Sequence, residues 1–175
     1  GDFRWDLLDS YAQPFVDKGK KIALRVTCSE SRYVYATPKW VKDAGAKGLF
    51  FKIPQAKDLK GWATSDLELW EPTFDDPVFL AKLEHFLCAL AARYDGNPHV
   101  AFVDIGSFGM YGEGHTTGGC NPLDSMETDR LARLHMDIHR RLLPNTYLVI
   151  SDDVAGAVNQ NPDAPLMAYA RKLGI

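Results

Sequence analysis

The chain lacks the sequence features that mark several classes of protein. Its 175 residues hold three cysteines, Cys28, Cys88 and Cys120, and no CxxC pair. An odd number of widely spaced cysteines argues against both a disulfide framework and a structural zinc site. Apolar runs fall far short of the roughly 18 residues that a membrane span needs. We therefore expect no membrane span, and the N-terminal residues do not resemble a signal peptide.

The chain also lacks a strong excess of charge of one sign. Lysine and arginine total 20 against 23 aspartates and glutamates, and the basic residues are scattered along the chain. This balance gives no electrostatic footprint for a polyanion, so a nucleic-acid partner is not expected. No GxGxxG or GxxxxGK[ST] motif follows a predicted strand, and we expect no cofactor. Hydrophobic residues at 46% and charged residues at 25% are typical of a folded globular domain.

What the chain does contain is a repeated unit of a helix followed by a short apolar strand. Apolar residues at helical spacing predict helices over 3–18, 77–95, 125–143 and 164–173. Asp76-Pro77 marks the start of the second of these, and Gly or Pro follows the first three. Nearly continuous apolar runs predict strands over 20–26, 99–108 and 147–150, typical of a buried parallel sheet. Between the first two units lies a long excursion at about 28–73, in which only 47–53 is predicted as a short strand.

Alternating helices and buried strands predict an α/β fold, built either as a doubly wound open sheet or as a (β/α)8 TIM barrel. The absence of a nucleotide-binding motif weakens the open sheet. A barrel takes about 250 residues. We therefore expect residues 1–175 to form a partial (β/α)8 barrel that carries the 28–73 excursion as a long loop.

The stretch from 93 to 115 is the most informative one for chemistry. It leads a buried strand into a glycine-rich loop that holds Tyr111, Glu113 and His115. In parallel α/β sheets, ligands bind at the loops beyond the carboxyl ends of the strands. This position predicts a functional role for Glu113, against the alternative of a solvated loop carboxylate. His115 either contacts a ligand or is an exposed loop histidine.

These residues resemble clan A glycoside hydrolases, the (β/α)8 enzymes that include β-galactosidases of the thermophilic type. The chain is most similar to a group of uncharacterised bacterial barrel proteins related to them. The resemblance extends from Trp5 to Asp153. It is carried by residues 5–9 and 21–26, the run Thr37-Pro38-Lys39-Trp40, and the stretches 74–80 and 93–115.

The resemblance implies that Glu113 is a general acid/base placed after the fourth barrel strand. In the family an Asn usually precedes this glutamate, whereas Gly112 does here. The nucleophile would be a second glutamate after the seventh strand, beyond Ile175. Arg25, at the end of the second strand, would orient that nucleophile. Both carboxylates are needed because the glycosidic bond breaks through an oxocarbenium-like state.

Several other side chains are candidates for substrate contact. Flat aromatic faces stack on sugar rings, and among Trp40, Trp62, Trp70 and Tyr111 we expect Trp40 and Tyr111 to do so and the others to pack in loops. Asp152 and Asp153 follow a strand, where they either hydrogen-bond substrate or cap the next helix, and Asp152 is the candidate. Asp104 is expected to be the structural partner of Arg25, because a charge on a central strand needs one.

His135 and His139 lie four residues apart on a predicted helix and could in principle share a metal ion. No HExxH pattern accompanies them, and the charged residues around them predict a solvated helix face. We therefore expect no metal ligands in this chain.

The sequence thus predicts a glycoside hydrolase that acts on a poly- or oligosaccharide. One alternative is a non-catalytic glycan-binding barrel protein, and another is an enzyme of unrelated chemistry on an open α/β sheet. Carbohydrate is the expected partner, and glycan substrates favour an extracellular or periplasmic location.

Overall fold

A computed structural model describes residues 3–52, 67–116, 123–155 and 164–175. Within these residues the elements, in chain order, are α1 (Trp5–Val16), β1 (Ile22–Arg25), α2 (Lys39–Asp43), β2 (Gly48–Phe51), β3 (Leu69–Pro72), α3 (Pro77–Tyr94), β4 (Val100–Asp104), α4 (Ser125–Leu142), β5 (Leu148–Val149) and α5 (Pro165–Lys172). Two short 3-10 helices cover Met110–Gly112 and Asp152–Ala155. All four predicted helices are confirmed, each slightly shorter than the sequence indicated.

Three parallel strands form the central sheet in the order β1-β4-β5. Arg25 at the end of β1 pairs in register with Asp104 at the end of β4, and Asp104 pairs with Val149 of β5. A helix precedes each strand, and α4 packs against both α3 and α5. The predicted α/β class is therefore confirmed. The described residues form this three-stranded sheet and not a closed barrel of eight strands.

The long excursion contains more regular structure than its sequence indicated. The strand predicted over 47–53 is confirmed as β2, which pairs with β3 in an antiparallel register. Trp70 on β3 is 2% exposed and its ring centroid lies 6.3 Å from that of Tyr35. Trp70 is thus a packing residue, as expected, whereas Trp62 lies outside the described residues.

Helix α3 forms at the position that its N-cap, proline and apolar spacing predict. Asp76 is the N-cap, and its Oδ1 accepts hydrogen bonds from the backbone N–H groups of Val78 and Phe79, both at 3.0 Å. Pro77 occupies the first helical position, where a missing N–H costs nothing. The buried stripe lies against the core and consists of Phe79, Leu83, Leu87, Leu90 and Tyr94.

Helix α1 keeps its predicted amphipathic face except at Phe15. No residue of α1 is fully buried, but Trp5, Leu8, Ala12 and Val16 are partly buried, whereas Phe15 is 60% exposed. Trp5 and Leu8 pack against the core, and the ring of Trp5 stacks on Phe86 of α3 at a centroid distance of 6.2 Å.

The solvated face predicted for His135 and His139 is wrong, because both side chains are at most 1% exposed. Burial of these polar rings is tolerated because the ring nitrogens form hydrogen bonds inside the protein. Nε2 of His135 donates to the carbonyl of Phe74 at 2.9 Å, and its Nδ1 accepts from the Ser107 hydroxyl at 2.7 Å. Nδ1 of His139 lies 2.8 Å from the carbonyl of His135. The charged residues around them occupy other faces of α4.

No helix among the described residues combines the length and the apolar character needed to cross a membrane.

Candidate functional site

The ends of β1 and β4 bring two charges together. The Nε of Arg25 lies 3.4 Å from Oδ2 of Asp104, which confirms the expected ion pair. The other carboxylate oxygen, Oδ1, is buried and has no hydrogen-bond partner among the described residues. Burial raises the pKa of Asp104, Arg25 opposes this, and the charge of Glu113 adds to the rise. The negative charge of Glu113 thus makes Asp104 harder to deprotonate.

The loop after β4 carries Glu113 back towards the end of β1. Its Oε1 lies 3.9 Å from Nη2 of Arg25, and its Oε2 lies 3.5 Å from Nε2 of His115. Glu113 is partly exposed, with 34% of its side-chain surface accessible. The structure thus places three of the predicted site residues together, with the carboxylate between a guanidinium and an imidazole.

Left-handed backbone conformations make this loop tight. Tyr111, inside the 3-10 turn, has φ 57°, and its N–H donates to the carbonyl of Ser29 at 3.0 Å. Gly114 has φ 75°, and a Cβ there would lie 2.2 Å from Cγ2 of Val154. Only glycine permits this close approach. The loop is therefore pinned on both sides of Glu113.

A buried hydroxyl and carboxylate lie beneath the same loop. Ser29 Oγ donates to Oε2 of Glu71 at 2.5 Å and lies 3.7 Å from Sδ of Met110. Glu71 on β3 is 2% exposed and Ser29 is 1% exposed. Ser29 thus joins β3 to the turn that leads into Glu113. This link was not predicted from the sequence, although a glutamate on a buried strand implies a polar partner.

The segment after β5 adds a further carboxylate. Asp153 presents an oxygen such that the donor atoms of Glu113, His115 and Asp153 all lie within 4.8 Å of one another. The predicted candidate was the neighbouring Asp152, whose side chain lies outside the described residues.

Trp40 lies apart from this group. It is 53% exposed on α2 and lines an apolar groove of about 200 Å³ with Thr27 and Cys28. Segment 26–41 supplies most of the lining and α3 forms the opposite wall, and neither Arg25 nor Glu113 lines the groove. Tyr111, in contrast, lies beside the site, with its ring centroid 6.2 Å from that of His115.

Among the described residues, Glu113 lines one small cavity. The cavity that Glu113 lines, with His135 and Val154 among its other walls, has a volume of about 10 Å³. Such a space is of the order of one water molecule. A sugar ring would therefore approach Glu113 from its solvent-facing side.

The arrangement offers two kinds of chemistry. A carboxylate held between Arg25 and His115 can exchange a proton with a ligand at the sheet edge. The same carboxylate, together with a histidine and a second carboxylate, provides donor atoms for a cation. Comparisons with family models, with curated proteins and with solved structures found no match for this chain.

Proposed function

We propose that the chain is part of a (β/α)8 barrel glycoside hydrolase acting on a poly- or oligosaccharide. Glu113 is the general acid/base, and the nucleophile carboxylate lies outside these 175 residues. The observation that carries the proposal is the position of Glu113 at the edge where parallel strands end, in contact with Arg25 and His115. This edge is where barrel enzymes place catalytic groups.

In this proposal Glu113 protonates the glycosidic oxygen while the nucleophile carboxylate bonds to the anomeric carbon and the glycosidic C–O bond breaks. It then takes a proton from the water molecule that displaces the nucleophile from the anomeric carbon. His115, with its Nε2 3.5 Å from the Glu113 carboxylate, is placed to tune that proton exchange. Arg25 neutralises part of the negative charge at the site and is the proposed positioning residue for the nucleophile. Tyr111 and Asp152 are proposed to contact the sugar.

The strand arrangement refines how the chain would fit into a barrel. β1 and β4 hydrogen-bond to each other directly, so they would be consecutive barrel strands. Arg25 on the second strand and Glu113 after the fourth would therefore not both hold: either β1 is the third strand and β4 the fourth, or β1 is the second strand and β4 the third. Arg25 then reaches Glu113 from the adjacent strand, which agrees with the 3.9 Å between Nη2 and Oε1.

Glu113→Gln in the complete gene product tests the proposal. Wild type and variant are assayed on alkyl glycosides and on 2,4-dinitrophenyl glycosides of the same sugars. An alkoxide leaving group needs protonation and dinitrophenolate does not, so the variant should lose roughly 10²–10⁴-fold on alkyl glycosides and far less on the activated ones. The matched control is Glu84→Gln on α3, which removes a surface ion pair with Arg141 of α4 and should keep wild-type rates. Equal rates for E113Q and wild type on alkyl glycosides would refute the role of Glu113.

The second candidate is a glycan-binding protein without turnover, favoured by the half-exposed indole of Trp40 beside an apolar groove. Aromatic faces of this kind stack on pyranose rings. Glycan-array binding that is lost in Trp40→Ala and kept in E113Q, with no hydrolysis of any glycoside, would establish this candidate in place of the hydrolase.

A further inference from the structure

We propose that Glu113, His115 and Asp153 form a binding site for a divalent transition-metal ion, with Zn²⁺ the best match. The loop after β4 supplies the first two residues and the segment after β5 supplies the third. Their donor atoms lie within 4.8 Å of one another. The site is thus assembled at the sheet edge from residues that are up to 40 positions apart in the sequence.

The spacing of the donors suits a metal ion. Two ligands bound tetrahedrally to zinc at about 2.0–2.1 Å are roughly 3.3 Å apart. Nε2 of His115 and Oε2 of Glu113 are 3.5 Å apart, so an ion would fit between them after a small adjustment. This distance exceeds the 2.7–3.2 Å of an N–H···O hydrogen bond, so a metal ion would not have to replace a short hydrogen bond between the two groups.

The two oxygens of Glu113 face different partners. Oε1 faces Arg25, whereas Oε2 faces His115 and remains available as a ligand. Arg25 also forms an ion pair with Asp104, so the single positive charge of Arg25 is already largely balanced by that carboxylate. The carboxylates of Glu113 and Asp153 then leave a local excess of negative charge. A divalent cation would neutralise it.

Nδ1 of His115 is buried, and among the described residues no hydrogen-bond partner at Nδ1 fixes the tautomer of the ring. With the proton on Nδ1, the Nε2 lone pair is directed to the side of Glu113. A neutral imidazole in this state is a metal ligand.

The donor set selects among metals. Ca²⁺ and Mg²⁺ prefer all-oxygen sites, whereas one imidazole with two carboxylates suits Zn²⁺, Co²⁺ and Fe²⁺. Three protein ligands leave the fourth tetrahedral position to water, and Asp153 is exposed to solvent. On the proposed function, a metal on Glu113 occupies the acid/base oxygen, so Zn²⁺ would inhibit glycoside turnover.

Metal binding is measured without substrate, on the complete gene product stripped with EDTA. Co²⁺ is titrated and followed by its visible d–d absorption, and Zn²⁺ is then added as competitor. We expect saturable Co²⁺ binding that Zn²⁺ displaces. Asp153→Asn and His115→Gln should each weaken binding at least about tenfold, because each removes a ligand. His99→Gln, which changes an exposed imidazole outside the cluster, is the control and should bind as wild type.

No saturable Co²⁺ absorption, or wild-type affinity in both D153N and H115Q, would overturn the metal site. D153N alters an exposed side chain, so it keeps the test informative if H115Q folds poorly. The readout does not involve glycosides. Metal binding by a protein that, when metal-free, turns over no glycoside would overturn only the hydrolase, and turnover without metal binding would overturn only this site.

Discussion

The buried imidazole of His135 makes the stability of the protein depend on pH in a defined window. Burial, opposed by the hydrogen bond to the carbonyl of Phe74 and assisted by nearby His139, lowers the pKa of His135 from 6.5 to about 4. Protonation would place a proton on Nδ1, which now accepts from Ser107. The folded state therefore resists protonation, whereas the unfolded chain accepts a proton below about 6.5.

The sign and size follow from proton linkage. Between pH 6.5 and about 4 the unfolded chain binds one more proton at this histidine than the folded protein does, so stability falls as the pH falls. At pH 5 the difference is close to one proton, which is a slope of about 1 kcal/mol per pH unit. Over the whole window His135 accounts for a loss of about 3 kcal/mol.

The assay is urea unfolding of wild type and His135→Gln at a series of pH values from 7 to 4.5. The variant is expected to be less stable at pH 7, since it loses a buried hydrogen bond. Near pH 5 the free energy of unfolding of the variant should fall with decreasing pH less steeply than that of wild type. The two slopes should differ by about 1 kcal/mol per pH unit. Ile138→Val, a non-titrating change to a buried residue of the same helix, should lower stability without altering the slope. If the free energy of unfolding falls equally steeply with decreasing pH in wild type and H135Q, the reasoning is refuted.

Two further predictions concern local backbone structure. Gly114→Ala should destabilise the protein more than Gly19→Ala in urea unfolding, because both glycines have φ near 70° but only at Gly114 would the Cβ strike Val154, 2.2 Å away, whereas nothing lies within 4 Å at Gly19. Equal losses would contradict a close approach at the loop. Asp76→Ala should cost about 1 kcal/mol of stability through loss of the α3 N-cap, and Asp76→Asn should retain most of it because an oxygen acceptor remains. Thermal or urea unfolding of the two variants distinguishes them, and equal stability of D76A and wild type would count against the cap.

Much of the secondary structure could be predicted because its signals are local. The cap at Asp76, the proline after it and the apolar stripe at 3.6-residue spacing define α3 within about 20 residues of sequence. The continuous apolar runs of β1 and β4 likewise indicate strands that are buried in a parallel sheet. The ion pair between Arg25 and Asp104 followed from the rule that a charge on such a strand needs a partner.

Polar burial on α4 could not be predicted in the same way. His135 lies among charged residues in sequence, and local hydropathy assigns it to solvent. Its burial depends on the carbonyl of Phe74 and the hydroxyl of Ser107, which come from other parts of the chain. The same holds for Glu71, whose partner Ser29 is 42 residues away.

The sequence by itself determined the α/β class, the helices with their caps, and the placement of Glu113 after a buried strand, because periodicity, caps and strand ends are set by neighbours along the chain. Only the tertiary structure decided that β1 lies beside β4, that Arg25 and His115 face opposite oxygens of Glu113, and that Asp153 joins them. These contacts depend on strand register and on left-handed turns at Tyr111 and Gly114, whose consequences appear only when distant segments meet.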